Sequence, residues 1–141
     1  MKLKALRPTD VKEVEYRDSG VIFKIRPLPY KVKQDIVNES TQIYLGKKTI
    51  NMAELAIKVV KYGCVGWDNL QYEDGTDCQP VLVDCPTYKV RCLDDESIEI
   101  LYRVSAFDEI SNLCNNQHEI EEYVEKWAKV KEEEKKKESS Q

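Results

Sequence analysis

The sequence predicts an α+β protein, mainly α-helical, in which an N-terminal β-hairpin is followed by a helical body and a long charged C-terminal helix. Two patterns support this prediction. β-Forming residues flank a glycine turn near the N-terminus, and apolar residues recur every three to four positions over most of the remaining chain. A chain of 141 residues can bury a hydrophobic core without a metal or disulfides. We therefore predict a single domain over 1–130.

The β-hairpin is predicted at about 13–26. Two runs rich in β-branched and aromatic residues, 13–17 and 21–26, flank a short turn that ends in Gly20, and glycine readily supplies the positive φ such turns need. Proline has no backbone N–H to donate to a ladder. The prolines after the second strand therefore end it, and Pro29 suits the first turn of a helix.

The helices follow from apolar spacing and from capping residues at their ends. Asn51 with Glu54 three residues later resembles a capping box, and Asp94 or Asp95 can cap a later helix. Gly46 is interpreted as the end of the first helix. The predicted helices span about 29–44, 51–65, 95–104, 105–114 and 118–130.

Two regions have weaker patterns. Between the second and third helices, 81–83 and 88–90 are interpreted as short strands on either side of Pro86. At the C-terminus, Lys131 begins a run of eight consecutive charged residues. Such a composition buries no apolar surface, so 131–141 is predicted to be a disordered tail.

The last predicted helix carries an apolar stripe that needs a contact. Its members are Ile120, Tyr123, Val124 and Trp127. Trp and Tyr are enriched in the hot spots of protein interfaces. We therefore predict that the stripe contacts another chain, either a second copy or a helix of a partner. Packing on its own domain is the alternative.

Charge is distributed unevenly along the chain, whose formal net charge is −4. Residues 1–63 carry a net +6 and residues 64–118 a net −8. Such asymmetry can promote head-to-tail association between copies, so a homo-oligomer is a further candidate. The alternative is that the two halves fold against each other. The basic residues are scattered rather than interleaved with aromatic residues, so no nucleic-acid partner is expected.

Chemistry-bearing residues form no recognisable catalytic set. The acidic clusters fall in turns or at helix starts, where carboxylates favour the helix dipole and water. The one histidine, His118, has no flanking residues that would orient a nucleophile. Residues 63–66 (GCVG) lack the spacing of a phosphate loop. The sequence therefore predicts a protein that is not an enzyme and binds no cofactor.

The five cysteines are predicted to be free thiols that pack as small hydrophobic residues. Their number is odd, and no secretory signal precedes them. Their spacings also lack the gap of two to four residues that a zinc site uses, so no metal is expected. The cysteines are Cys64, Cys78, Cys85, Cys92 and Cys114.

No run approaches the ~20 apolar residues of a membrane helix. The N-terminus has basic residues without an apolar stretch behind them, which is not the pattern of a secretory signal. We therefore expect a cytoplasmic protein that is not secreted and has no membrane partner.

Two motifs together suggest a family. Residues 23–29 (FKIRPLP) form a strand that ends in a basic residue, proline and leucine. Further on, Gly66 and Trp67 precede an acidic turn at 73–75. Over about 14–113 the chain thus resembles the tail assembly chaperones of long-tailed bacteriophages and prophages. We interpret Gly66 and Trp67 as a fold marker, a helix end that folds the large aromatic ring back over the core.

The resemblance implies a non-catalytic protein that is absent from the finished virion. It would bind the tape measure protein in the host cell cytoplasm, keep that long helical chain soluble and help to recruit tail tube protein. Two alternatives remain open. One is a structural virion protein, such as a head–tail joining or tail component, which should contain more β-strand. The other is a small thiol-dependent enzyme, which should contain one markedly acidic cysteine.

Overall fold

The computed structural model describes residues 4–7, 10–104 and 106–139. Within these ranges it contains five helices and seven strands, which confirms the predicted α+β class, with 47% of residues helical and 24% in strands. The helices are α1 (Tyr30–Glu39), α2 (Met52–Gly63), α3 (Asp95–Arg103), α4 (Phe107–Asn115) and α5 (Gln117–Ser139). The strands are β1 (Lys12–Glu15), β2 (Ile22–Ile25), β3 (Thr41–Tyr44), β4 (Lys47–Ile50), β5 (Cys64–Asp68), β6 (Leu82–Cys85) and β7 (Val90–Leu93).

The predicted N-terminal hairpin is confirmed as β1 and β2, and β5 extends it into a three-stranded antiparallel sheet in the order β1-β2-β5. In this sheet Phe23 of β2 pairs with Val14 on one side and with Trp67 on the other. All three side chains are at most 3% exposed. One face of the sheet is therefore apolar and lies against the helices.

The core is built where α2 and α4 pack against each other and against this sheet. Val60, Leu101 and Ile110, from α2, α3 and α4, are fully buried with Ile25 of β2. These residues belong to one continuous hydrophobic cluster with members from every helix. Burial of apolar side chains from all these elements provides the main stabilisation of the fold.

The first helix is shorter than predicted. It ends at Glu39, and the chain from 41 to 50 forms an antiparallel hairpin of β3 and β4, so the prediction of helix over 29–44 is wrong at its C-terminal end. The turn holds Leu45 at φ 50° and Gly46 at φ 77°, which matches the two-residue turns of β-hairpins. Gly46 therefore closes a hairpin rather than a helix.

The second helix also ends earlier than the predicted 51–65. It stops at Gly63, and Cys64–Asp68 is a strand. Gly66 and Trp67 thus lie within a strand and not at a helix end, which corrects that part of the prediction. The Trp67 ring is nonetheless in the core, 3% exposed, and its indole N–H donates to the carbonyl oxygen of Cys78 at 2.7 Å.

The remaining predictions of local structure hold with small shifts. The short strands expected near 81–83 and 88–90 are present as the antiparallel pair β6 and β7. The third helix lies where it was predicted. The fourth, predicted over 105–114, spans Phe107–Asn115 with Ala106 as its N-cap, and the predicted first residue, Ser105, lies outside the described residues.

The last helix differs most from its prediction. α5 continues from Gln117 to Ser139, so residues 131–139 are helical rather than irregular, and residues 140–141 lie outside the described residues. Lys131 explains part of the extension, because its ammonium group is 2.9 Å from Glu15 and 3.5 Å from Asp18. These contacts tie the helix to the N-terminal hairpin one turn beyond Trp127.

Candidate partner-binding surfaces

The predicted interface stripe on α5 is divided by the fold. Ile120 is 5% exposed and belongs to the domain core. Tyr123 is half-buried, and its hydroxyl accepts a hydrogen bond from the backbone N–H of Arg17 at 2.9 Å and donates one to Glu109 at 3.0 Å. These two residues therefore join α5 to its own domain.

Trp127 continues the same inward face. Its ring lies 6.3 Å from that of Tyr123, centroid to centroid, and lines a groove of about 410 Å³ together with Arg17, Glu109 and Lys126. The indole N–H is buried and has no hydrogen-bond partner among the described residues. A buried donor without a partner costs about 1–3 kcal/mol, so Trp127 contributes to the fold mainly through its apolar area.

Val124 is the one member of the predicted stripe that is largely exposed, at 51%. It lines a second groove of about 530 Å³ on the other side of α5, with Leu6, Ile120 and Ala128. The N-terminal segment forms one wall of this groove, because the side-chain amide of Gln117 bonds the backbone of residues 4 and 6. Val124 is thus the part of the stripe that a partner can reach.

Electrostatic contacts strengthen the junction between α5 and the hairpin. The guanidinium of Arg17 forms an ion pair with Glu109. Partial burial acts to raise the pKa of Glu109, but hydrogen bonds from Arg17 and Tyr123 outweigh it and the pKa lies below its ordinary value. Burial and the contact with Glu109 raise the pKa of Tyr123 to about 12. The junction therefore holds the carboxylate of Glu109 in its charged form.

A second surface, which the sequence analysis missed, is the hairpin of residues 41–50, called the hairpin arm below. Three consecutive apolar side chains at its tip are exposed: Ile43 at 73%, Tyr44 at 73% and Leu45 at 86%. β3 and β4 form a sheet of their own. The base of the arm is anchored, since the backbone carbonyl oxygen of the buried Ser40 accepts a hydrogen bond from the backbone N–H of Asn51 at 2.8 Å.

Leu45 is an unusual residue at its position. Its φ of 50° lies in the left-handed region, where a side chain with a Cβ costs about 1–2 kcal/mol and where Asn, Asp and Gly are the residues usually found. A leucine at this position therefore destabilises the turn, and its exposed apolar side chain lowers the solubility of the protein. Backbone strain of this kind is typical of functional sites.

The charged side chains of the arm are all positive. Residues 41–50 contain Lys47 and Lys48 and no acidic residue. The arm therefore combines an apolar tip with positive charge. Two sequence signals could have identified it: the β-branched residues at 41, 43, 49 and 50, and the Leu45-Gly46 pair between them.

The prediction that the cysteines are free, buried thiols is confirmed. Burial raises the pKa of Cys64 to about 12 and raises that of Cys114 and Cys92. The reactive form of a cysteine is the thiolate, which burial disfavours at these three positions. Within the described residues, no three side chains of histidine, cysteine, aspartate or glutamate lie together in a way that could hold a metal ion.

In the part of the chain that the structure describes, no helix combines the length and apolar character needed to cross a membrane.

Comparison of this chain with protein-family models, with curated proteins and with solved structures found no match.

Proposed function

We propose that this protein is a tail assembly chaperone of a long-tailed bacteriophage or prophage. In this role it binds the tape measure protein in the host cell cytoplasm, keeps it soluble and helps to recruit tail tube protein. The proposal rests on the resemblance of residues 23–29 and of the Gly66-Trp67 motif to that family. It also requires an exposed surface that can hold an apolar helical partner.

The hairpin arm is the observation that carries the proposal. Its tip exposes the consecutive residues Ile43, Tyr44 and Leu45, and clustered exposed apolar groups mark interaction sites. An amphipathic helix can lay its apolar face on such a surface. Lys47 and Lys48 favour a partner helix whose apolar face is bordered by acidic residues, because charge complementarity orients such contacts.

The groove at Val124 supports the same role as a second contact. It is mostly apolar, and its border carries both acidic and basic residues, including Glu121 and Lys12. The helical content, about twice the strand content, favours a chaperone over a tail tube subunit, for which more strand is expected. A non-catalytic role agrees with the buried thiols and with the carboxylate of Glu109 held in an ion pair.

The direct test is to look for a long helical protein encoded beside this gene and to co-express the two. The chaperone should increase the soluble fraction of that protein several-fold and co-purify with it. Leu45→Asn should reduce this effect, because asparagine suits a positive φ but removes the apolar tip. A matched control is Val83→Thr, which changes an exposed apolar residue of β6 away from the arm.

Two results would contradict the proposal: the absence of a long helical protein from the neighbouring genes, and an unchanged soluble fraction on co-expression. Equal activity of Leu45→Asn and Val83→Thr would show that the arm is not the contact. Loss of activity in Val124→Asp would then assign the contact to the groove at Val124.

A further inference from the structure

A cleft of about 300 Å³ lies between the end of β2, the start of α1 and the β6–β7 hairpin. Its walls are mostly apolar and include Leu28, Val32, Tyr62 and Tyr88. The two tyrosine rings meet edge to face with centroids 5.5 Å apart. A volume of this size is at the lower end of small-ligand sites, enough for one apolar group and a small polar head.

Arg26 and Lys31 are the cations that line this cleft, and the carboxylate of Asp35 borders it, accepting a hydrogen bond from the hydroxyl of Tyr88 at 2.7 Å. The guanidinium of Arg26 is about half-buried, and desolvation lowers its pKa, although the group remains protonated. One nitrogen, Nη2, donates to the carbonyl oxygen of Tyr62 at 2.8 Å and more weakly to that of Arg91 at 3.4 Å. In the described part of the chain, no carboxylate lies within 4.0 Å of this guanidinium.

Arg26 differs in this respect from two other partly buried charges of the molecule. Glu109 is paired with Arg17, and Lys131 with Glu15. A half-buried cation without an ion-pair partner among the described residues is costly, and its Nε–H and Nη1–H groups can donate to an oxygen of a bound carboxylate. Lys31, at the border of the cleft, adds a second positive charge.

We propose that this cleft binds a carboxylate attached to an apolar or aromatic group. The carboxylate pairs with Arg26, and the apolar group packs between Val32 and the two tyrosine rings. A free aryl carboxylic acid and the C-terminal residue of a peptide share this chemistry. The inference is independent of the proposed chaperone function, since it uses neither the hairpin arm nor α5.

The test is an NMR titration of the isotope-labelled full chain. The probes are N-acetyl-phenylalanine, its carboxamide, a pentapeptide ending in a free phenylalanine carboxylate, and sodium phosphate. We expect the free acid to shift the backbone signals of Leu28, Val32 and Tyr62, with the carboxamide at least ~10-fold weaker because it lacks the charge. Tighter binding of the pentapeptide than of the free acid would identify a peptide terminus as the source, and the reverse order would identify the free acid.

A variant that preserves the fold sharpens this test. Lys31→Glu places an acid in the first turn of α1, which favours the helix dipole, and brings a competing carboxylate to Arg26. It should weaken binding of the free acid by ~10-fold or more. Lys33→Glu makes the same change of charge at a residue outside the cleft lining and should leave binding nearly unchanged.

Substitution of Arg26 itself would also break its bond to α2, so Lys31→Glu is the decisive variant. Equal binding of acid and carboxamide would overturn the inference. Equal effects of the two lysine variants would also overturn it, as would preferential binding of phosphate, which would indicate a general anion site.

Discussion

At the scale of single residues, close contacts in the core leave little room for change. Gly63, the last residue of α2, packs directly against Cys114 of α4. A Cβ atom placed on Gly63 would lie 2.5 Å from both the Cβ and the Sγ of Cys114. The absence of a side chain at Gly63 is therefore what allows the two central helices to approach each other.

Gly63→Ala should destabilise the protein. Alanine improves helix propensity by ~1 kcal/mol, but overpacking of a close-packed core costs ~1–3 kcal/mol. The Cβ of Cys114 cannot rotate away, so we expect the packing cost to dominate. Urea unfolding measures the difference. Asn112→Ala, at an exposed position of α4, should change stability by less than ~0.5 kcal/mol, and a Gly63→Ala variant as stable as this control would refute the close contact.

A second prediction at this scale concerns Glu109. Its pKa is lower in the folded state than its ordinary value of 4.5. The unfolded state therefore binds the proton more readily, and stability falls as the pH drops below about 4.5. Glu109→Gln should be less stable than the parent at neutral pH and lose less stability on acidification. Glu125→Gln, an exposed carboxylate on α5, is the control. Parallel pH profiles for the parent and Glu109→Gln would contradict the prediction.

At the scale of elements, the hairpin arm and α5 differ in how firmly the rest of the fold holds them. An isolated two-stranded hairpin is marginally stable in water, yet the arm has an exposed tip and a strained turn. α5 gains its position from contacts with α4 and β1, through Tyr123, Trp127 and Lys131. The arm is thus suited to binding a partner, whereas the first half of α5 stabilises the domain.

Leu45→Asn should stabilise the arm even though it weakens partner binding. Asparagine tolerates the positive φ better than leucine, so we expect a gain of up to ~1 kcal/mol in the free energy of unfolding. Thermal unfolding of the isolated protein measures it. Gly46→Ala, at φ 77°, should have the opposite effect. Loss of stability in Leu45→Asn would show that the leucine contributes to the fold instead.

Truncation separates the two parts of α5. Side chains 132–137 are exposed, so a chain that ends at Lys131 should retain nearly its full stability. A chain that ends at Lys126 loses Trp127 and the ion pairs of Lys131 and should be less stable by ~2 kcal/mol or more. Chemical unfolding distinguishes the two. Equal stability of both truncated chains would show that Trp127 does not pack on the domain.

At the scale of the whole molecule, the segment 1–63, with a net charge of +6, and the segment 64–118, with a net charge of −8, fold against each other, since β2 pairs with β5 and α2 packs on α4. We expect the charge that remains on the surface to attract a second copy through a different face, which produces a ring or an open helical array. Screening shortens the Debye length from ~10 Å at 0.1 M salt to ~3 Å at 1 M, so the average mass measured by light scattering should fall as salt is added. A monomeric mass at both salt concentrations would refute self-association.

Much of the fold follows from local sequence patterns. The alternation of 13–26 predicted the first hairpin, and the apolar period predicted α2, α3 and α4 within about two residues of their ends. The hairpin arm was missed because Ile43 and Tyr44 also fit a helical period, so periodicity over a short apolar run could not distinguish strand from helix. The positive φ of Leu45 was not visible either, since leucine rarely adopts it.

The sequence by itself determined that α5 has an apolar stripe, because the 3.6-residue period of a helix places Ile120, Tyr123, Val124 and Trp127 near one face. Only the tertiary structure decided what covers it. Arg17 is 106 residues away from Tyr123 along the chain, and no local pattern indicates that the two meet. The exposure of the arm, and the absence of a counter-ion at Arg26 among the described residues, likewise depend on neighbours distant in sequence and appear only when the chain has folded.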